Sequence, residues 1–123
     1  EAAIAAYTYC EEWLDKLLVY LEENLNMLVK YFEDNIPQIK VIRPEATYLA
    51  WLDCSGLPVP AEKLKEFFVN EAGVGLNDGA TFGVEGRGFQ RLNFACPRKV
   101  LEDGLGRIKN AVANLINHTI PIG

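Results

Sequence analysis

The residue best equipped for chemistry is Arg91, at the centre of the run Gln-Arg-Leu-Asn-Phe-Ala that occupies positions 90–95. Alternation along a strand puts Arg91 and Asn93 on one side and Leu92 and Phe94 on the other. A guanidinium among apolar and β-forming neighbours must reach water or find acceptors for its five N–H donors. Two arrangements meet that need. One is a place on the solvent face of the sheet, or beside Asp53 or Asp78. The other is a planar fork left open for a carboxylate, which a guanidinium grips with two parallel charge-assisted bonds. Residue type and spacing leave both open.

The glycine cluster Gly73, Gly75, Gly79, Gly83, Gly86 and Gly88 invites a second test, because glycine lets backbone donors approach a phosphate closely. Neither standard pattern is met. No GK[ST] ending occurs, and Gly83, Gly86 and Gly88 do not follow a strand and open a helix. A mobile surface loop is the expectation, with a ligand loop or lid as the alternative. Asp53, Asp78 and Glu85 have the chemistry of general acids or bases but no catalytic pairing, so solvated or capping roles are expected. Cys96 and His118 lack an orienting third group, which argues against nucleophilic catalysis. The three cysteines, Cys10, Cys54 and Cys96, form no CxxC pair and read as reduced thiols. No metal site is expected.

Elements that position these residues follow from periodicity. Trp13, Leu14, Leu17, Leu18, Leu21, Leu25, Leu28, Val29 and Phe32 recur at three- and four-residue steps, predicting one long helix from about Ala5 to Asp34 that Pro37 stops. Tyr9, Tyr20, Met27 and Tyr31 lie partly off that face, so a second packing partner is implied for it. Ile39 to Arg43 and Thr47 to Asp53 read as a hairpin. A helix follows Pro58 and Pro60 and ends at Gly73. A short strand near Val74 to Leu76, a long loop and the Arg91 strand come next. Beyond Pro97, Val100, Leu101, Leu105, Ile108, Val112, Leu115 and Ile116 keep a helical period, and Arg98 at the start of that helix is expected to be solvated. The fold class is α/β (α+β): a small, mainly antiparallel sheet packed with helices in a two-layer sandwich, in the order α-β-β-α-β-β-α.

With 123 residues, 50% hydrophobic and 24% charged, the chain can bury a core of its own. A net charge of −5 with interspersed signs offers no basic stripe for nucleic acid. No apolar run is long enough for a membrane-spanning helix and no secretory signal opens the chain, so a cytoplasmic location is expected. Glu1 takes the place of an initiator methionine, which suggests a piece of a longer product.

Two stretches then carry a resemblance. Residues 72–108, AGVGLNDGATFGVEGRGFQRLNFACPRKVLEDGLGRI, are similar to the end of the MalY/PatB group of pyridoxal-phosphate enzymes, typically cystathionine β-lyases of the class I/II aminotransferase superfamily and fold type I. PEATYLAWLDCSGL, residues 44–57, resembles the group's PEGTYLxWLD stretch, with Ala46 where glycine is usual, and EEWLDKLLVYLEENL resembles its long helix leaving the cofactor domain. The resemblance implies residues 1–34 as an interdomain helix and 35–123 as the C-terminal small domain, one compact unit. It implies that Arg91, in the RLN motif, binds the substrate α-carboxylate, and that Asn77, Asp78 and Gly79 stand at or behind the site entrance. It further implies pyridoxal 5'-phosphate held by a lysine in a large N-terminal domain outside this sequence, since none of Lys16, Lys30, Lys40, Lys63, Lys65, Lys99 or Lys109 lies in the matching motif. No catalytic residue and no bound cofactor are then expected in this stretch, which alone would be inactive. The full enzyme would be a homodimeric lyase acting on amino-acid substrates. An aminotransferase shares the same arginine and fold and stays open beside it, as does, from another class, a stand-alone anion-binding module.

Overall fold

The computed structural model describes residues 1–119. Its elements are α1 (Ala2–Tyr9), α2 (Glu11–Asn35), β1 (Lys40–Ile42), β2 (Leu49–Asp53), α3 (Leu64–Asn70), β3 (Asn77–Asp78), β4 (Phe89–Asn93) and α4 (Arg98–Thr119), with 3₁₀ turns at Ala61–Lys63, Gly79–Phe82 and Val84–Gly86. All strand pairs are antiparallel, in the order β1-β2-β4-β3. The expected α+β architecture is present.

The period-2 pattern explains which face is covered. Ala50 and Leu52 of β2 and Gln90 and Leu92 of β4 are buried, while Trp51, Arg91 and Asn93 are not. Onto the buried face α2 brings Leu25, Leu28 and Phe32, α3 brings Leu64 and Phe68, and α4 brings Leu105 and Ile108, forming one apolar cluster. Each such side chain contributes roughly 1.5–3 kcal/mol of transfer free energy, so truncating Leu28 to alanine would cost about 2–5 kcal/mol once the cavity is included. Among the described residues no α-helix packs on the other sheet face, where Arg91 and Trp51 meet Phe82 of the Gly79–Phe82 3₁₀ turn.

The hairpin strands and α3 are shorter than expected, and three further boundaries differ. The single helix expected from Ala5 to Asp34 is two helices, jointed at Cys10 (φ −107°, ψ 14°). The Cys10 amide still donates to Ala6 and the Leu14 amide to Cys10, so the joint is a bend within a continuing bond ladder. Thr8, Tyr9 and Cys10 are poor helix formers, whereas Glu11 and Glu12 favour a new N-terminus at α2. The strand expected at Val74–Leu76 forms at Asn77–Asp78, because the Val74 amide is bonded to the Phe68 carbonyl at the end of α3. The Arg91 strand stops at Asn93, where the Asn93 Oδ1 accepts from the Ala95 amide at 2.8 Å and turns the chain toward Pro97.

Candidate functional site

Strand register places Ile42, Trp51, Arg91 and Asn77 in one row across all four strands, on the face without helices. The Arg91 Nη2 donates to the Asn77 Oδ1 at 3.4 Å, and its Cζ lies 4.3 Å above the centroid of the Phe82 ring. Trp51 meets Phe82 edge-on at 5.7 Å and 85°, and Phe89 at 6.1 Å and 86°. The Arg91 Nε is buried with no hydrogen-bond partner. No described carboxylate pairs with Arg91. Asp53 accepts instead from the Ser55 amide at 3.0 Å, and Asp78 from the Ala80 amide at 3.2 Å and the Gln90 Nε2 at 3.4 Å. Pairing with Asp53 or Asp78 is therefore excluded, and the solvent-face and open-fork arrangements both remain. A charged fork pinned by one long hydrogen bond and one aromatic ring keeps most of its donors for another acceptor.

Phe82 reaches Arg91 because the glycine-rich loop folds back on itself. A Cβ on Gly79 would meet the Phe89 carbonyl oxygen at 2.7 Å and lie closer still to that of Gly86, and a Cβ on Gly86 would strike the Gly79 carbonyl. The two 3₁₀ turns thus pack backbone to backbone, which only glycine allows. The Thr81 hydroxyl donates to the Asp78 carbonyl at 2.7 Å and fixes the first turn. Asn77 touches Arg91, Asp78 is turned to the loop and to buried Gln90, and Gly79 serves packing. Two clefts open around these residues, and Arg91 lines only the second. One, of about 290 Å³, is walled by Trp51, Phe82, Glu85, Gly86 and Phe89. The other, of about 500 Å³, runs between the edge of the sheet and α4, with Asn77, Arg91, Asn93, Cys96 and Gly104 on its walls.

Similar segments are found within longer proteins. MalY of Escherichia coli K12 is 40% identical over 111 residues, 90% of this chain and 28% of its own length. Cystathionine beta-lyase PatB of Bacillus subtilis 168 is 38% identical over 109 residues, 89% of this chain and 28% of its own. Among solved structures, cystalysin of Treponema denticola, which contains a pyridoxal 5'-phosphate cofactor, superposes with a TM-score of 0.85 at 34% identity, over 89% of this chain and 28% of that one. Over about nine-tenths of its length the chain is homologous to one segment of MalY and of PatB. It spans little more than a quarter of the length of these relatives, and no family model matches it.

Among the described residues no lysine lines either cleft. The larger cleft offers a guanidinium on its wall, and neither cleft offers a lysine amine. Cysteine chemistry is also excluded at the site. Burial pushes the Cys54 thiol up to about 12, with the Asp53 charge adding to it, and burial raises Cys96 as well. Both stay protonated at neutral pH, the reverse of an activated thiolate. His118 is exposed near the end of α4, its Nδ1 2.6 Å from the Asn114 carbonyl. Among the described residues no group of His, Cys, Asp or Glu could hold a metal ion, and no helix is long and apolar enough to cross a membrane.

Behind the Arg91 strand lies a polar knot that the sequence reading does not include. Asn24 of α2 is fully buried, and its Nδ2 donates to the Phe94 carbonyl at 3.1 Å and the Cys96 carbonyl at 3.0 Å. Arg98, expected to be solvated, is instead tied in. Its Nε donates to the Asn24 Oδ1 at 3.3 Å and its Nη2 to Glu23 at 2.8 Å, while its backbone amide donates to the Tyr20 hydroxyl at 2.6 Å. The guanidinium also lies 5.1 Å from the Tyr20 ring centroid, and Glu23 holds its pKa above the usual value. The reason is the N-terminus of α4, whose free amide finds an acceptor on α2. One signal was available: Asn24 falls on the apolar stripe of Leu21, Leu25, Leu28 and Phe32, where a polar residue must have partners.

Proposed function

We propose that this domain is the substrate-carboxylate-binding part of a pyridoxal-phosphate-dependent carbon–sulfur lyase that acts on cystathionine or related cysteine thioethers. The observation that carries the reading is Arg91, a guanidinium at mid-strand on the face without helices, stacked on Phe82 and paired with no described carboxylate. The relatives' names support the lyase class, and the cystalysin structure supports the cofactor. Pyridoxal phosphate is held by parts of the enzyme outside this chain, and when bound it supplies an electron sink for the substrate α-carbon.

What this chain contributes is orientation. Two parallel N–H donors on a planar fork fix both the position and the rotation of a carboxylate, and with it which bond at the α-carbon faces the cofactor. Phe82 limits the guanidinium on one side, and Asn77 holds one Nη so that the remaining donors point at the ligand. This domain, residues 35–123 with the helical segment 1–34 leading into it, is inactive alone because the proton-transferring lysine is elsewhere. In the full enzyme Arg91→Lys keeps the charge but loses the fork. Losing one charge-assisted bond of roughly 1.5–3 kcal/mol lowers kcat/KM by about 10- to 150-fold, and Arg91→Ala lowers it further. Cofactor absorbance is retained in both variants. Release of pyruvate with a free thiol identifies the lyase, and formation of a keto acid by amino-group transfer identifies an aminotransferase instead. A kcat/KM for Arg91→Ala within twofold of the parent, with cofactor bound normally, would falsify the assignment.

A further inference from the structure

We propose that Arg43 and Arg98 are positioning residues: together they fix the direction in which α2 leaves the sheet, and so hold Arg91 in place relative to the parts of the enzyme that complete its site. This rests on the carboxylate reading of Arg91 and deepens it. Each of the two arginines follows a strand and reaches back to α2. Arg43 comes directly after β1, and its Nη2 donates to the Glu22 Oε1 and the Asn26 Oδ1, both at 2.7 Å. Arg98 opens α4, and its Nη2 donates to Glu23 at 2.8 Å and its Nε to the Asn24 Oδ1 at 3.3 Å, while its guanidinium lies over the Tyr20 ring. Glu22 and Asn26 are one helical turn apart, and Tyr20, Glu23 and Asn24 share another side of the same helix. The helix is therefore gripped from two sides by two planar forks.

The grip sits where the core stops. The buried residues of α2 begin at Asn24, and Trp13, Leu14 and Leu18 ahead of it are exposed. Apolar burial is non-directional and leaves a helix free to rock on its contact, whereas hydrogen bonds from a guanidinium set an angle. Stability is a poor explanation for these bonds. The Arg43 and Glu22 side chains are 46 and 62% exposed and those of Arg98 and Glu23 40 and 57%, and ion pairs so open to water contribute little to folding. Both anchors connect instead to the row that holds Arg91. Ile42, directly before Arg43, lies beside Trp51, and Trp51 lies beside Arg91. At the other end Asn24, the acceptor for Arg98, donates to the Phe94 and Cys96 carbonyls just beyond β4. A tilt of α2 therefore moves Arg91 against the reacting centre, where a small displacement costs much of the benefit of orientation.

The test uses the full cofactor-loaded enzyme and two probes without a leaving group, L-alanine and L-alaninamide, whose dissociation constants are read from the change in cofactor absorbance. They differ in the carboxylate, and the ratio of their constants does not depend on how much of a sample is folded. A general loss of structure leaves that ratio in place. Arg43→Ala combined with Arg98→Ala is expected to reduce the preference for alanine by about tenfold, and Arg91→Ala to abolish it. Glu22→Gln combined with Glu23→Gln keeps both arginines, neutralises their carboxylate partners and should shift the ratio in the same direction, which covers an arginine variant that does not fold. Lys30→Ala, which removes an exposed pair with Asp34 inside α2, should leave the preference unchanged. A preference within twofold of the parent's in every double variant that folds, while Arg91→Ala abolishes it, overturns the positioning role and leaves the Arg91 assignment standing. If Arg91→Ala also keeps the parent's preference, the Arg91 assignment fails and the positioning role fails with it.

Discussion

At the scale of single residues, environment separates side chains whose types look equally reactive. Arg91 keeps free donors because its row neighbours are an indole and an amide, whereas Arg98 spends its donors on Glu23 and Asn24. The same contrast holds for the thiols: Cys10 is exposed, Cys96 partly covered and Cys54 buried. Maleimide labelling of the native chain near neutral pH should therefore modify Cys10 first and Cys54 only on unfolding. Cys54 also makes stability pH-dependent. Its folded pKa of about 12 lies above the ordinary thiol value of 9.0, so the folded state holds a proton that the unfolded chain releases. The stabilisation is complete below about pH 9 and is lost as pH rises toward 12. Denaturant midpoints of the parent should fall more steeply across that window than those of Cys54→Ala, whose baseline stability is lower. Parallel curves would show that the thiol is not the group responsible. The sheet face on which Arg91 stands was legible beforehand because strand alternation sets it. Phe82 was not, since its place depends on a backbone contact between Gly79 and Gly86 that no periodicity announces.

At the scale of elements, one buried amide joins three of them. Asn24 of α2 satisfies two carbonyls in the connection between β4 and α4 and accepts from the first residue of α4. Asn24→Ala leaves the Phe94 and Cys96 carbonyls without that donor, a loss of about 2–3 kcal/mol for buried polar groups. Asn24→Asp keeps an acceptor for Arg98 but removes both donations and sets a carboxylate against two carbonyl oxygens, so it should be at least as damaging. Urea unfolding measures both. A change below about 0.5 kcal/mol in Asn24→Ala would mean that the carbonyls find water or other donors. The helices and the hairpin were legible from their apolar periods, because packing on the sheet demands that pattern. The edges were not: β3 and the end of β4 are set by particular bonds, Val74 to Phe68 and Ala95 to Asn93, which override the local β preference of Val74 to Leu76 and of Phe94.

At the scale of the whole molecule, the core explains only the C-terminal part of α2. Its buried residues begin at Asn24, and α1 has none. Ahead of Asn24 lie Ile4, Tyr7, Tyr9, Trp13, Leu14 and Leu18, exposed at 70, 90, 82, 64, 47 and 54%. Tyr20, grouped with Tyr9 and Trp13 by sequence, is less exposed, because Arg98 occupies its ring and its hydroxyl. An eight-residue helix with no buried face is too short to persist in water by its own hydrogen bonds, and so many exposed aromatics in one stretch mark a surface meant to be covered. We propose the remainder of the enzyme as that cover. The isolated chain should then show fast amide exchange from Ala2 to Tyr9 and concentration-dependent association by sedimentation. Trp13→Glu combined with Leu18→Glu should shift it toward monomer and leave the unfolding midpoint nearly unchanged, because neither side chain belongs to the buried core cluster. In the full enzyme the same pair of substitutions should do the opposite, destabilising the assembled protein by burying two carboxylates against apolar surface. Equal tolerance in both contexts would mean that this helix stays in solvent in the complete protein, and that its apolar residues serve some contact other than the one between the two parts of the enzyme.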